Sequence, residues 1–299
     1  MANVTEGGNS TFCKTWSSLE IAGIMIAAVN ILLSITASLG NILILIGLRN
    51  VSSLYPPTKL MFQCLAIADL GVGLIPQPLM VCEQLNVYKH VESSCAFEII
   101  FCGVSFFTVT ALSVDRLLAL LLGLRYRHVV TLRRVRAVIA CSWFTTFLLV
   151  LVWKLRRNTA KIIMIILITL SLIIWLFSYT RIVLRLRHYQ SRVRDNVHQG
   201  QANIEGIPLN LERYKRTVVS IALVQLALVI CYVPFLSFLI VEHLNVFPLT
   251  ASLYPGLRDS TATLLFLNSS LNPFLYCWRI KELRQAVKAT IKRFCKCIS

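Results

Sequence analysis

The sequence predicts an all-α membrane protein: a bundle of seven transmembrane helices followed by a short amphipathic eighth helix. Of its 299 residues, 57% are hydrophobic and 14% are charged, and the mean hydropathy is +0.71. Soluble domains carry about 25% charged residues. Seven apolar stretches also approach or exceed the roughly 20 residues that a helix needs to cross a bilayer. This composition excludes a disordered chain and argues against a cytosolic enzyme.

The apolar stretches predict helices because backbone polar groups in lipid must be satisfied within the chain. The alternating pattern of a membrane β-barrel is absent. The fourth stretch is the shortest, and we expect its ends to extend into the flanking charged residues. In chain order the stretches are Ile21–Leu48, Leu60–Cys82, Ala96–Leu124, Ala137–Trp153, Ile162–Thr180, Thr217–Val241 and Ser260–Trp278. They predict an N-terminal tail (1–20), a bundle (21–278) and a C-terminal helix and tail (279–299).

The basic residues predict how the chain is oriented. With the N-terminus outside, 22 Lys and Arg fall on the cytoplasmic connections and 7 on the opposite ones, as the positive-inside rule requires. Asn3 and Asn9 begin glycosylation sequons in the outer tail. We therefore expect a multi-pass plasma-membrane protein with an extracellular N-terminus and a cytoplasmic C-terminus. The net charge of +17 then reflects attraction to anionic membrane lipid rather than to nucleic acid.

Several polar side chains lie at membrane depth, where they usually face the bundle interior. Asn41 is most simply a hydrogen bond between helices. Asp69 differs, because a lone carboxylate in this position needs a proton or a cation. Oxygen-rich surroundings suit a hard cation. The candidates for supplying them are Ser105, Asn268, Ser269 and Asn272.

Each predicted span carries a short motif. In order these are Gly40-Asn41, Leu65-Ala66-Ile67-Ala68-Asp69-Leu70, Asp115-Arg116-Leu117, Trp143, Tyr179, Cys231-Tyr232-Val233-Pro234-Phe235, and Asn268-Ser269-Ser270-Leu271-Asn272-Pro273-Phe274-Leu275-Tyr276. One motif per span, all in order, is very improbable by chance. From about residue 21 to 294 the chain resembles the rhodopsin-like (class A) G-protein-coupled receptors.

The resemblance implies a switch at the cytoplasmic end. Arg116 would leave its inactive-state partner Asp115 and meet two tyrosines as the sixth helix swings out, opening a cavity for a heterotrimeric G protein. Proline also interrupts the hydrogen-bond ladder of a helix, which gives a place for two packings to interconvert. The implied switch residues are Asp115, Arg116, Tyr179, Tyr232, Pro234, Asn272, Pro273 and Tyr276. The alternative for the Asp115–Arg116 pair is an ordinary interfacial ion pair.

The same resemblance places a sodium pocket at Asp69, Ser105, Asn268, Ser269 and Asn272. Sodium bound there would be an allosteric modulator that stabilises the inactive state. No other cofactor is expected.

Some positions depart from the family pattern. Leu117 replaces a Tyr, Tyr232 replaces the usual Trp, and Ser171 stands in place of a proline in the fifth span. The acidic partner for Arg116 on the sixth helix is replaced by Tyr214, with Glu212 nearby. Without that acidic partner, the contact between Arg116 and the sixth helix (the inner lock) is weak, which predicts raised basal signalling. We expect residues 185–213 to form a short inner loop.

The cysteines also depart from the pattern. The outer loop Lys154–Lys161 is short and lacks the family's disulfide cysteine. In this feature, and in the missing proline of the fifth span, the chain resembles the melanocortin and adenosine-type receptors. The preferred outer disulfide is Cys13–Cys95. An amphipathic segment implies the family's eighth helix, and it precedes Cys295 and Cys297, which are palmitoylation candidates. The alternative is that both thiols remain unmodified.

A pocket for an extracellular small-molecule or peptide ligand is expected in the outer half of the bundle. Glu98 stands where amine receptors carry an Asp, so it could pair with a cationic ligand. The alternative is that it pairs with a side chain such as Arg258 or is exposed to solvent at the helix mouth. By family position the pocket comprises Glu98, Trp153, Phe235, Phe238, Leu239, Arg258, Ala262 and Phe266. A transporter is disfavoured because no repeated halves are visible. A membrane enzyme is disfavoured because the five His form no cluster.

Overall fold

The computed structural model describes residues 18–85, 87, 91–198, 207–245 and 253–298, and within these ranges it is helical without strands. The helices are α1 (Ser18–Asn50), α2 (Pro56–Leu74), α3 (Pro76–Gln84), α4 (Val91–Leu122), α5 (Tyr126–Val129), α6 (Leu132–Leu155), α7 (Arg157–His198), α8 (Ile207–Leu244), α9 (Leu253–Arg279) and α10 (Lys281–Ile298). A 3-10 turn, Gly123–Arg125, joins α4 to α5. The predicted all-α class is confirmed.

The helices follow the seven predicted spans. Among the described residues, six segments are long and apolar enough to cross a membrane, and α9 supplies the seventh predicted span. Helix α9 is less apolar because it carries the polar residues Asn268–Ser270 and Asn272. The fourth span does extend into its charged flanks. Thr131 caps that helix, α6, because its hydroxyl accepts a hydrogen bond from the Arg134 backbone N–H (3.4 Å).

The second span is broken, although its sequence predicts one uninterrupted helix. Helix α2 ends at Leu74 and α3 begins at Pro76. Ile75 between them has φ −123° and ψ −73°, because a residue before proline is pushed out of the α region. The break redirects the outer part of this span.

The predicted loop over 185–213 is wrong for most of its length. Helix α7 continues to His198, and α8 begins at Ile207. Residues 181–198 contain no glycine or proline to end the helix. The fifth helix therefore extends well beyond the apolar stretch that predicts it.

The amphipathic segment forms α10, which packs on the inner end of α1. Leu283 is fully buried. A side chain at Gly47 would have its Cβ 3.0 Å from the Cγ2 of Val287. The apolar face of α10 thus contacts the bundle and its basic face is exposed.

Helices α1 and α9 approach closely where Gly40 faces Pro273. A Cβ on Gly40 would lie 2.8 Å from the Cγ of Pro273 and 3.0 Å from its Cβ. The rigid proline ring cannot move aside within α9. The glycine therefore allows α1 to lie against the proline-containing segment of α9.

We expect Gly40→Ala to destabilise the bundle by about 1–3 kcal/mol, the usual cost of overpacking. The measurement is the melting temperature of the purified protein in detergent. Gly23→Ala is the matched control, because nothing lies within 4 Å of a Cβ there and alanine has the higher helix propensity. Equal melting temperatures for the two variants would contradict the close approach.

Candidate functional site

The centre of the bundle holds the carboxylate of Asp69, which is fully buried. Its Oδ1 accepts hydrogen bonds from the hydroxyls of Ser105 (2.7 Å) and Ser269 (2.8 Å). Its Oδ2 accepts one from the Asn272 amide (2.7 Å). Three helices, α2, α4 and α9, thus meet at one side chain. Four of the five predicted sodium-site residues lie together.

Asn268, the fifth, does not join this cluster through its amide nitrogen, which is buried without a hydrogen-bond acceptor. Asn41 lies beside the cluster instead: its amide donates to the backbone oxygens of Ala37 (2.9 Å) and Ser269 (3.2 Å). It joins α1 to α9, as its interpretation as a bond between helices predicts. Its Oδ1 is buried with no donor.

The donor set around Asp69 fits a hard cation. Among the described residues no basic side chain forms a salt bridge with this carboxylate. The hydroxyls of Ser105 and Ser269 can turn to offer oxygen lone pairs in place of their hydrogens. The Asn41 Oδ1, which accepts no hydrogen bond from the described residues, is a further acceptor. It lies beside the cluster because the amide nitrogen of Asn41 donates to the Ser269 backbone oxygen. Sodium would bind through these carboxylate, hydroxyl and amide oxygens.

The residues of the predicted switch are organised around Asp115, which is buried. The Arg116 Nη2 lies 3.1 Å from its Oδ2. The Tyr126 hydroxyl donates to its Oδ1 (2.6 Å), and the Thr58 hydroxyl donates to its Oδ2 (3.3 Å). Asp115 therefore holds Arg116 while itself being held from α2 and α5. Sequence reasoning missed Tyr126 and Thr58, since neither belongs to a motif and only packing brings them to Asp115.

The other predicted switch residues lie along the core. Tyr232 is buried, with its ring centroid 5.0 Å from Phe106 and 5.5 Å from Trp175. Trp175 also donates to the Thr110 hydroxyl (3.0 Å). The Tyr276 ring contacts Phe62 edge-on at 4.9 Å. Half-buried Tyr179 packs on the pair Leu117 and Ile182, and the prolines Pro234 and Pro273 lie inside continuous helices.

The outer mouth carries a second charged cluster centred on Arg258. Its Nη2 lies 3.8 Å from the Glu98 Oε2, and its Nη1 lies 3.9 Å from Glu83 and 3.3 Å from Asp259. Of the two readings of Glu98, the pair with Arg258 is present. Three carboxylates share one guanidinium, so the cluster has an excess of negative charge when all four groups ionise. The Glu83 Oε1 is buried, and none of the described residues donates a hydrogen bond to it.

A third polar group ties the outer ends of α7, α8 and α9. The Lys161 ammonium and the Tyr254 hydroxyl both donate to the Glu242 Oε1, at 2.8 Å and 2.6 Å. Tyr254 precedes the span Ser260–Trp278. Burial, and next the bond to the Glu242 carboxylate, raise the pKa of Tyr254 well above its usual range. The phenol, which is protonated at neutral pH in any tyrosine, therefore remains a donor at alkaline pH as well.

A small cavity of about 80 Å³ lies below the outer mouth, with Glu98, Phe106, Tyr232, Phe235 and Leu265 in its wall. Among the described residues that line it, Glu98 carries the only charge. Ligand pockets usually measure about 300–1,000 Å³, so the cavity must widen to admit a ligand.

Of the predicted pocket residues, Glu98 and Phe235 therefore line the cavity, and Arg258 contacts it through Glu98. The others are not among the described residues in its wall. Ala262 and Phe266 are buried in a separate apolar cluster. Phe238 packs on Tyr254 at 5.6 Å. Leu239 belongs to the main core, and Trp153 lies under the Arg157 guanidinium at 5.0 Å.

The predicted modification sites are reached only in part. Asn3, Asn9 and Cys13 lie outside the described residues, so the sequons and the Cys13–Cys95 pairing stay predictions. The Cys95 sulfur accepts a hydrogen bond from the Arg258 Nη2 (3.1 Å). Cys295 is exposed near the end of α10, and the side chain of Cys297 lies outside the described part.

This arrangement defines a multi-pass helical membrane protein with a polar centre at membrane depth and an Asp–Arg pair at one end. The family model described as "7 transmembrane receptor (rhodopsin family)" matches residues 40–162 and 152–276. The chain belongs to this family, whose members are receptors and not enzymes.

Among the members of this family, the chain is similar to several individual receptors. The chain is 25% identical to the sheep (Ovis aries) adenosine receptor A3 over 97% of this chain and 94% of that one. It is 33% identical to the bovine (Bos taurus) adenosine receptor A2b over 48% and 44%. It is 22% identical to the mouse (Mus musculus) trace amine-associated receptor 9 over 86% and 82%. The predicted resemblance to adenosine-type receptors is confirmed.

Proposed function

We propose that this protein is a plasma-membrane receptor that binds an extracellular small molecule and activates a heterotrimeric G protein at its cytoplasmic face. The observation that carries this is the Asp115 centre, in which one carboxylate holds Arg116 and is itself held by Tyr126 and Thr58. The Arg116 guanidinium stays charged when it leaves Asp115, and its five donors can bind other acceptors. The centre can therefore adopt a second arrangement, in which Arg116 is released. The basic inner connections support a cytoplasmic location for this end.

The two ends of the bundle are connected through contiguous packing. Glu98 and Tyr232 line the same small cavity, and Tyr232 contacts Phe106 and Trp175. A ligand that widens the cavity must displace the rings of Phe106 and Tyr232, which line it, and the Trp175 ring packs on both. Because packed cores have discrete alternative packings, such a displacement can be transmitted to the inner end.

We infer that the ligand carries a positive charge. The cavity combines aromatic walls with one carboxylate, a set that recognises a cationic group on an apolar body. The excess acid around Arg258 leaves carboxylate oxygen for a second cation. A neutral nucleoside-like ligand is the second candidate, favoured by the adenosine receptor relatives.

The test is a panel of biogenic amines and nucleosides, scored by nucleotide exchange on co-expressed G proteins. We expect an amine to activate the receptor, and Glu98→Gln to lower its potency about ten- to hundredfold, the value of a charged hydrogen bond. Glu242→Gln, on another helix of the outer mouth, should leave that potency unchanged. Activation by a nucleoside with full potency on Glu98→Gln would select the neutral ligand.

Three further proposals follow from the sequence. Sodium binds at Asp69 and stabilises the inactive state. Asn3 and Asn9 are glycosylated on an extracellular tail. Cys295 and Cys297 are palmitoylated where α10 meets the membrane surface, and the exposure of Cys295 is compatible with this.

A further inference from the structure

A groove of about 650 Å³ lies on the outside of the bundle, between α4 and α6. Phe107, Ala111 and Val114 form its α4 wall, and Ala137 and Val138 belong to its α6 wall. Val138 is 48% exposed, so the groove opens toward the surrounding lipid. Its volume is typical of small-molecule sites, which measure about 300–1,000 Å³. It differs from the cavity at Glu98, although Phe107 lies in the wall of both.

One end of the groove is strongly basic. Arg134 lies in the wall of the groove and is exposed. One of its N–H groups donates a hydrogen bond to the Val129 carbonyl oxygen (2.7 Å). A guanidinium has five N–H donors, so others remain for an incoming group. Four more exposed arginines lie in the same segment, at positions 125, 127, 133 and 136.

The carboxylate of Asp115 does not neutralise the basic end of the groove. Asp115 is the one carboxylate among the described residues that line the groove. It is buried and already receives Arg116 and the Tyr126 hydroxyl. The groove is thus an apolar channel open to lipid, with a cationic end.

We propose that this groove binds an anionic phospholipid, with one acyl chain between α4 and α6 and its phosphate at Arg134. The apolar walls match an acyl chain that leaves the bilayer sideways, without crossing water. A guanidinium binds phosphate through paired hydrogen bonds, and the neighbouring arginines add attraction to a negative headgroup. Assigning the lipid to the inner leaflet rests on the proposed orientation, whereas the binding itself does not.

The lipid site adjoins the predicted switch. Val130 and Asp115 both line the groove, and the Tyr55 hydroxyl donates to the Val130 carbonyl (2.7 Å). Because Arg134 bonds the Val129 carbonyl, the headgroup end of the lipid lies beside the short segment that carries Tyr126.

The test measures lipid retained by the purified full-length protein, using native mass spectrometry in detergent with phosphatidylserine or phosphatidylcholine added. We expect one phosphatidylserine to be retained in preference to phosphatidylcholine. Ala137→Trp fills the groove and should abolish this retention. Arg134→Gln should weaken it about fivefold, the contribution of one basic residue.

Matched controls exist for both changes. Ala140→Trp is on the same helix at an exposed alanine outside the groove, and Arg133→Gln removes a neighbouring exposed arginine. Ala140→Trp should retain phosphatidylserine at the wild-type level, and Arg133→Gln should lose less of it than Arg134→Gln, because Arg133 adds only long-range attraction. Equal retention by Ala137→Trp and Ala140→Trp, equal retention of the two lipids, or a second protein chain in place of lipid would each overturn the proposal. Since retention is read from mass alone, its failure leaves the proposed signalling untouched.

Discussion

Asp69→Asn is expected to abolish the effect of sodium on this protein. Sodium bound at the proposed site would stabilise the folded wild type by RT ln(1 + [Na⁺]/Kd), which is about 1.4 kcal/mol at ten times the dissociation constant. That corresponds to a rise of roughly 3–6 °C in melting temperature for a domain of this size. The asparagine variant should melt at one temperature regardless of sodium, because the only charge that draws the cation is gone. The measurement compares melting in sodium chloride and in choline chloride at equal ionic strength.

The direction of the change without sodium is also informative. A buried carboxylate with no cationic partner costs free energy, so Asp69→Asn should be at least as stable as the wild type in choline chloride. Asp259→Asn is the matched control, since it makes the same substitution in a carboxylate at the outer end of α9. It should keep its response to sodium. A sodium response that survives in Asp69→Asn would rule out this site.

Arg116→Ala is expected to reduce nucleotide exchange to the level of membranes that lack the receptor. The wild type should show basal exchange above that level, because the inner lock on the sixth helix is weak by sequence. Removing the guanidinium removes the group that, in the proposed switch, meets the inner tyrosines in the active arrangement. The measurement is GTP-analogue binding in membranes with matched receptor abundance.

Two comparisons make this test specific. Arg125→Ala removes an exposed arginine from the neighbouring turn and should leave basal exchange unchanged. Asp115→Asn should raise it, because it releases Arg116 from its 3.1 Å partner. Basal exchange that equals the receptor-free level in the wild type would refute the weak lock. Full exchange by Arg116→Ala would refute its role in the switch.

The sequence predicts the helices and the central polar cluster well, for different reasons. The spans follow from apolar runs whose length matches the bilayer. Asp69 and Asn272 are 203 positions apart and yet bonded, and no local pattern reveals that contact. It was predictable only because each residue belongs to a family motif.

What the sequence did not reveal depends on packing between segments. Tyr126 and Thr58 reach Asp115 only because α5 and the start of α2 lie against α4. The extension of α7 was missed because basic residues end an apolar run without ending a helix. The break at Ile75 was missed although Pro76 was visible, since a proline sometimes kinks a transmembrane helix and sometimes divides it.

The connection between α6 and α7 consists of a single residue, Arg156. Its N–H donates to the Val152 carbonyl (2.7 Å), and its carbonyl accepts from the Ala160 N–H (3.1 Å). Both backbone groups of Arg156 are thus bonded to the adjoining helices, which restricts movement at the connection. A long connection would absorb relative movement of the two helix tips, whereas this one behaves as a stiff joint. Any displacement of the tip of the fifth transmembrane helix would therefore be passed directly to the fourth, whose side chains face lipid over much of their length.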